Sequence, residues 1–370
     1  MGHPVWAEVD LRALAHNLRE VRRLVGRRKI MAVVKANAYG HGMTEVARAL
    51  LAAGADWLGV ARGTEALELR SEGITAPILV LGYVDPGECP AILSAGVHVT
   101  VYDLHTAEVL AGAAQREGKS LRVHIKVDTG MGRLGLPCDV SGVKAALAVA
   151  DLAGVKVEGL FTHFACADDP DESPVRWQID RFLNFARQLE REGLTISCKH
   201  AANSAAVMRL PESHFDMVRP GIMLYGLHPS PVTFGKAELH PVMSLKARVA
   251  QVKRVAAGFP VSYGWTYKTS GPTVLATVAV GYGDGYSRLL SGQGEVLVGG
   301  KRAPVVGRVC MDHIIVDVTQ VESVTAGDEV VLFGRQGAAS LPVEEIAEKM
   351  GTINYEVVCA VGARVPRVYL

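Results

Sequence analysis

The sequence predicts an α/β fold: an N-terminal (β/α)8 TIM-type barrel followed by a mostly-β C-terminal domain. Three observations carry this. Short β-branched runs alternate with helical patterns over the first part of the chain, and there are eight of them. After about residue 238 strands crowd together between Gly-rich turns with little helix between them. The chain has 370 residues, more than one compact core usually serves.

The expected barrel strands are 29–34 (KIMAVV), 57–60, 78–81, 97–101, 122–127, 157–161, 196–199 and 217–219. Helices are expected between them, among others at 44–53, 64–72, 104–117 and 175–192. In the last of these Ile179, Phe182, Leu183, Ala186 and Leu189 recur at helical spacing and mark one buried face. The later strands are expected at 244–255, 273–280, 295–298, 303–308, 314–318 and 329–333. One late helix is expected at 342–350, with Ser340 as N-cap. The segment 226–236 (GLHPSPVTFGK), with two prolines and two glycines, reads as the linker. The domains are therefore expected at 1–238 and 239–370.

Composition excludes several classes. Lys+Arg at 39 against Asp+Glu at 38 leaves a net charge of +1, which offers no footprint for nucleic acid or an anionic membrane. The six cysteines are scattered and none form C-x-x-C, which fits reduced thiols in a cytoplasmic protein. The opening MGHPVWAEVDLRALAHNLREV lacks the apolar run of a signal peptide, and no stretch approaches a transmembrane helix. No metal motif stands out, because H-x-x-x-H pairing and C-x-x-C are both missing. GYGDG at 281–285 has the spacing of neither a P-loop nor a dinucleotide fingerprint.

Chemistry-bearing residues fall where a barrel enzyme places its site, just after the C-terminal ends of strands. Lys35 opens KANAYGHG after the first strand. Lys126 and Arg133 flank KVDTGMGRLG after the fifth, and His163 follows the sixth. His200, Asn203 and Ser204 follow the seventh, and Arg219 the eighth. A single Lys at a strand end is usually a solvated rim residue, and a single His is more often structural. Five strand ends on one face carrying such groups are not what stability alone selects. Ser204 with the N–H groups of Gly221 and Ile222 can form an anion site. A desolvated lysine forms a Schiff base readily, and His163 can stack on a flat ring. Phosphate, aldehyde and aromatic ring together point to pyridoxal 5'-phosphate (PLP).

These residues also resemble a known family. AVVKANAYGHG at 32–42 is similar to the PLP-lysine motif of alanine racemases. KVDTGMGRLG, GLFTHFA, HAANS, VRPGIMLYG, VSYG, VAVGYGDGY, GRVCMDH and NYE resemble further family blocks in the family's order, along essentially the whole chain. The resemblance implies an isomerase that interconverts L- and D-alanine with PLP and supplies D-alanine for peptidoglycan. It also implies a cytoplasmic homodimer whose sites are completed by the partner's C-terminal domain. Lys35 then holds PLP and is one catalytic base, and Tyr263 of the partner subunit is the other. Tyr39, Ser204, Gly221, Ile222 and Tyr355 hold the phosphate, with Asn203 beside them. Arg219 faces the pyridine nitrogen and His163 lies at the ring. Arg133 approaches the ring oxygen and the substrate. Lys126 resembles the position carbamylated in many members, and Tyr282, Met311 and Asp312 belong to the substrate end.

Arg219 weighs against a PLP decarboxylase on the same plan, where a carboxylate is expected at the pyridine nitrogen. Arginine has no acceptor, so the nitrogen facing it stays unprotonated and the electron sink is weaker. The β domain weighs against a non-catalytic PLP-binding protein, which resembles the barrel alone. A racemase acting on serine or on a broad range of amino acids stays open.

Overall fold

The computed structural model describes residues 3–370, which divide into two compact units. One unit comprises Ala13–Ala38 and Met43–His240. Its eight barrel strands are Lys29–Val33, Trp57–Val60, Ile78–Val80, His98–Val101, Leu121–Asp128, Val155–Phe161, Cys198–His200 and Met217–Val218. All pair in parallel. Val99 opposite Val123 and Met217 opposite Lys29 make the ring continuous. Ile30, Met31 and Ala32 are fully buried, as a strand covered on both faces requires. Met31, Leu79 and Met217 pack together within this core.

The helices follow from amphipathic spacing and capping. Ser173–Arg191 buries Val175, Ile179, Phe182, Phe185, Ala186 and Leu189. Asp103 caps Leu104–Arg116 by accepting the Thr106 N–H at 2.6 Å, and Asp139 caps Val140–Asp151 through Ser141 and Gly142. The expected linker is instead an ordered part of this unit. Leu227 and Thr233 are buried, and Ser230 Oγ donates to Asp168 O at 2.7 Å. Its prolines and glycines shape turns there, with Gly226 at φ 79° ending a short 3-10 turn.

The other unit comprises the described residues up to Arg12, Tyr39–Gly42 and Pro241–Leu370. Its backbone is the long strand Met243–Val255, paired antiparallel with Val5–Val9, Glu329–Gln336 and Thr273–Val278. Val5–Val9 was not expected as a strand. It lies between Met243–Val255 and the final strand Arg367–Tyr369. The strand expected at 303–308 is Lys301–Pro304, because Gly307 at φ 71° turns the chain and leaves Val305 only a single bridge to Val316. Ser340 is not the expected N-cap. It pairs with Arg335 in a hairpin, and Val343–Met350 starts from Pro342. Among the described residues no helix is long and apolar enough to cross a membrane.

Candidate active site

Lys35 stands at the C-terminal end of the first barrel strand, at the start of an unusual turn. Ala36, Asn37, Ala38 and Tyr39 all have φ of 52–53°, in the left-handed region. Non-glycine residues there cost roughly 1–2 kcal/mol each, so the surroundings must hold the turn. Glu65 does so from the neighbouring helix, accepting the Ala36 N–H at 2.7 Å and the Ala61 N–H at 2.7 Å. Asn37 Oδ1 accepts the Met43 N–H at 2.8 Å where the chain returns to a right-handed helix. The sequence reading placed an ordinary loop here.

Lys126 is 3% exposed, with its ammonium 5.7 Å from the Phe161 ring centroid. Burial first, then the charges of Arg133 and Arg219, lower its pKa to about 8. Arg133 lies exposed on the loop after this strand. Asp128 shapes that loop by accepting the N–H groups of Gly130, Met131 and Gly132 at 2.9, 2.8 and 3.1 Å.

Arg219 is 4% exposed, and burial lowers its pKa to about 9. Its Nη2 donates to Thr162 O at 2.7 Å and Ala201 O at 2.9 Å, and lies 3.3 Å from His163 Nδ1. Its Nη1 donates to His200 Nδ1 at 2.8 Å. No described residue accepts from its Nε–H. Burial and the neighbouring Arg219 keep His163 neutral, with its pKa well below the usual range.

Ser204 begins the helix Ser204–Arg209, and Asn203 caps it by accepting the Ala206 N–H at 3.1 Å. Ser204 Oγ accepts the Gly221 N–H at 2.9 Å and the Met223 N–H at 3.3 Å. Of the two expected anion donors, Gly221 therefore already has an acceptor. The buried Ile222 N–H has none among the described residues.

The second unit holds the remaining residues in two places. Tyr39 is buried there, which raises its pKa, and its ring lies 6.1 Å from that of Tyr355. Arg367 Nε donates to Gly40 O at 2.9 Å, and at Gly40, with φ 84°, any Cβ would collide with Val358 O. Elsewhere Tyr263, Trp265, Met311, Asp312 and His313 line an open hollow of about 460 Å³. Tyr263 is 70% exposed on a turn in which Ser262, Gly264 and Trp265 all have positive φ. Ser262 Oγ holds the turn by donating to Arg308 O at 2.6 Å. Tyr282 N–H donates to Cys310 O at 3.0 Å, which brings the Tyr282 turn against the Met311–Asp312 segment.

Sequence reasoning passed over Glu65, Asp128 and Arg364, which act through other residues. The D-x-G-x-G pattern at Asp128 was the one available signal. Away from this constellation, ligand atoms of His16, Glu238 and His240 come within 4.8 Å of one another on the surface, a group that sequence spacing does not reveal.

Comparison with known proteins decides the family. The N-terminal domain of alanine racemase matches residues 9–229, and its C-terminal domain matches residues 242–369. The chain belongs to the alanine racemase family. The family's curated alanine racemase of Desulforamulus reducens is 53% identical over 372 residues, with both chains fully covered. The solved alanine racemase of Clostridium difficile 630 superposes with a TM-score of 0.96 at 40% identity, covering 100% of this chain and 96% of that one. The Bartonella henselae family member, solved with covalently bound pyridoxal phosphate, gives a TM-score of 0.89 at 31% identity, with both chains fully covered.

Proposed function

We propose that this chain is a PLP-dependent enzyme that interconverts L-alanine and D-alanine by two-base proton transfer, working as a cytoplasmic homodimer and supplying D-alanine for peptidoglycan. The observation that carries the reading is the set of polar groups at the barrel strand ends. It includes the fully buried Ile222 N–H, for which no described residue accepts, and the Arg219 guanidinium held beside His163.

That donor set fits PLP. Ser204, Ile222 and Gly221 with the Tyr39 and Tyr355 hydroxyls would hold the phosphate, with Asn203 fixing the helix start. Arg219 would donate to the pyridine nitrogen, His163 would lie against the ring, and Lys35 would carry the cofactor. When bound, PLP supplies an electron sink for the Cα–H bond of the amino acid joined to it.

The chain's own groups do the rest. Lys35 holds or releases a proton on one face, and Tyr263 of the partner subunit does so on the other. Arg219 stays charged and donates only, which limits the sink and favours return of the proton over other outcomes. Arg133, Tyr282, Met311 and Asp312 bind and orient the substrate. A neutral Lys126 amine adds CO2 to give a carbamate and releases one proton. The resulting anion pairs with Arg133 and fixes its guanidinium fork.

The test is to incubate purified protein with each common L-amino acid, with and without added PLP, and to measure the D-enantiomer. D-alanine formation that requires PLP is expected. Failure to racemise alanine, with turnover of another amino acid, overturns the substrate assignment.

A further inference from the structure

Arg219 heads a hydrogen-bond chain that runs away from the strand ends into the barrel core. Its Nη1–H donates to His200 Nδ1 at 2.8 Å, and His200 Nε2 lies 2.9 Å from His124 Nδ1. Arginine has donors only, so His200 Nδ1 must be the acceptor. Both imidazoles are neutral. Burial and then Arg219 hold the His200 pKa well below its usual value, and burial, His98 and Arg219 lower that of His124 to about 3. A neutral imidazole carries one ring proton. His200 therefore carries it on Nε2 and donates to His124 Nδ1, which leaves the His124 proton on Nε2. Each step follows from the charge on Arg219, and the last donor in the series, His124 Nε2–H, is buried with no partner.

His124 lines a cavity of about 300 Å³ at the end of the barrel where the strands begin. Lys29, Trp57, Lys156, Glu158 and Ser197 form other parts of its wall. Room for the His124 ring comes from Gly159 on the next strand, where any Cβ would collide with the imidazole. Lys156 is paired with Glu158 at 2.9 Å, whereas the Lys29 ammonium has no ion-pair partner among the described residues. A second hollow of about 490 Å³ shares Lys29, Ser197 and Cys198 and adds Arg27, Arg28 and Asp216, so three cations face one carboxylate along the approach.

We propose that this basal cavity is a second ligand site for a small oxyanion, with His124 Nε2–H and the Ser197 hydroxyl as donors and Lys29 as counter-charge, and that its occupancy is relayed to Arg219 through His124 and His200. A water satisfies an orphan N–H but leaves Lys29 unpaired, whereas a monoanion answers both. The paired Glu158 carboxylate in the wall opposes higher charge and restricts the ligand to a small monoanion such as a short carboxylate. An anion on Nε2–H polarises His124 and strengthens each acceptor back along the chain, so His200 draws more firmly on Arg219. An effect at the cofactor rests on the reading of Arg219 given above, but the basal site itself does not.

Formate is the probe. Holoenzyme labelled with 15N in histidine is titrated with sodium formate at constant ionic strength, while the cofactor absorption is followed. The His124 and His200 resonances are expected to move together along one saturation curve. In Lys29→Gln, which leaves the strand-end residues intact, the midpoint is expected to weaken about ten-fold. Formate that enters only the substrate end gives a curve unchanged by Lys29→Gln, which overturns the basal site, as does the absence of any saturable His124 shift. A His124 shift with no His200 shift overturns the relay. If both histidines respond while the cofactor band stays fixed, the site stands and the placement of Arg219 at the pyridine nitrogen falls. Ser197→Ala, a small change outside the core of the relay, repeats the test should Lys29→Gln fold poorly.

Discussion

Arg364 donates from Nη2 to Asp312 Oδ1 at 2.7 Å. The same guanidinium donates from Nε to Oδ1 of the buried Asp284 at 2.7 Å, so one planar group spans two carboxylates. Gly283 leaves space for it, since a Cβ there would come within 2.6 Å of Arg364 Nη2. Arg364 is thus a positioning residue for Asp312.

In Arg364→Leu, kcat/KM for alanine is expected to fall roughly ten- to a hundred-fold through misplacement of Asp312. The loss should appear mainly in KM. Arg364→Lys should recover little of it, because a point charge cannot reproduce a fork across two carboxylates. Steady-state kinetics check this, and an unchanged KM in both variants contradicts the positioning role.

Lys126 gives a pH-dependent prediction. Its folded pKa lies at about 8, below the ordinary lysine value near 10.4, so the neutral amine becomes abundant as pH rises through 8 rather than through 10. Carbamate formation from 13C-bicarbonate should therefore increase steeply between about pH 7 and 9 and reverse on acidification. A carbamate carbon resonance that disappears in Lys126→Ala checks this. A plain lysine with chloride beside it contradicts the modification.

Much of this was legible in the sequence because both signals are local. Eight β-branched runs alternating with helical patterns give the barrel, and strand ends carrying Lys35, Lys126, His163, Ser204 and Arg219 mark the face of the candidate site. What was not legible depends on long-range pairing or on backbone geometry. Val5–Val9 is a strand because Met243–Val255 lies beside it, more than 200 residues away in the chain. The left-handed turn at Ala36–Tyr39 is built from residues with no preference for it and is held by Glu65 and Asn37. The prolines of 226–236 marked turns, and turns within a packed unit look the same in sequence as a linker.

Tyr263 and Lys35 should serve opposite faces of the substrate. In Tyr263→Phe, α-deuterium exchange is expected to survive much better from D-alanine than from L-alanine. Proton NMR of the α-position in D2O checks this, and equal losses from both enantiomers contradict the facial assignment.

Shared sites predict rescue between two inactive variants. Lys35→Ala keeps an intact Tyr263, and Tyr263→Ala keeps an intact barrel. In a mixed dimer one site receives both defects and the other neither. Random mixing makes about half of all dimers mixed, so about a quarter of wild-type sites should return. Co-expression of differently tagged chains checks this, with activity measured on the purified heterodimer, in which about half of the sites should be intact. Heterodimers that form and stay inactive contradict a site shared between subunits.

The central claim is that Lys35 carries the cofactor, and borohydride reduction tests it most directly. Purified holoenzyme should be yellow, and reduction should bleach the colour and fix the pyridoxyl group irreversibly. Peptide mass spectrometry of the reduced protein is expected to find that group on Lys35. The label on another lysine, or no label after reduction of a yellow protein, would contradict the account.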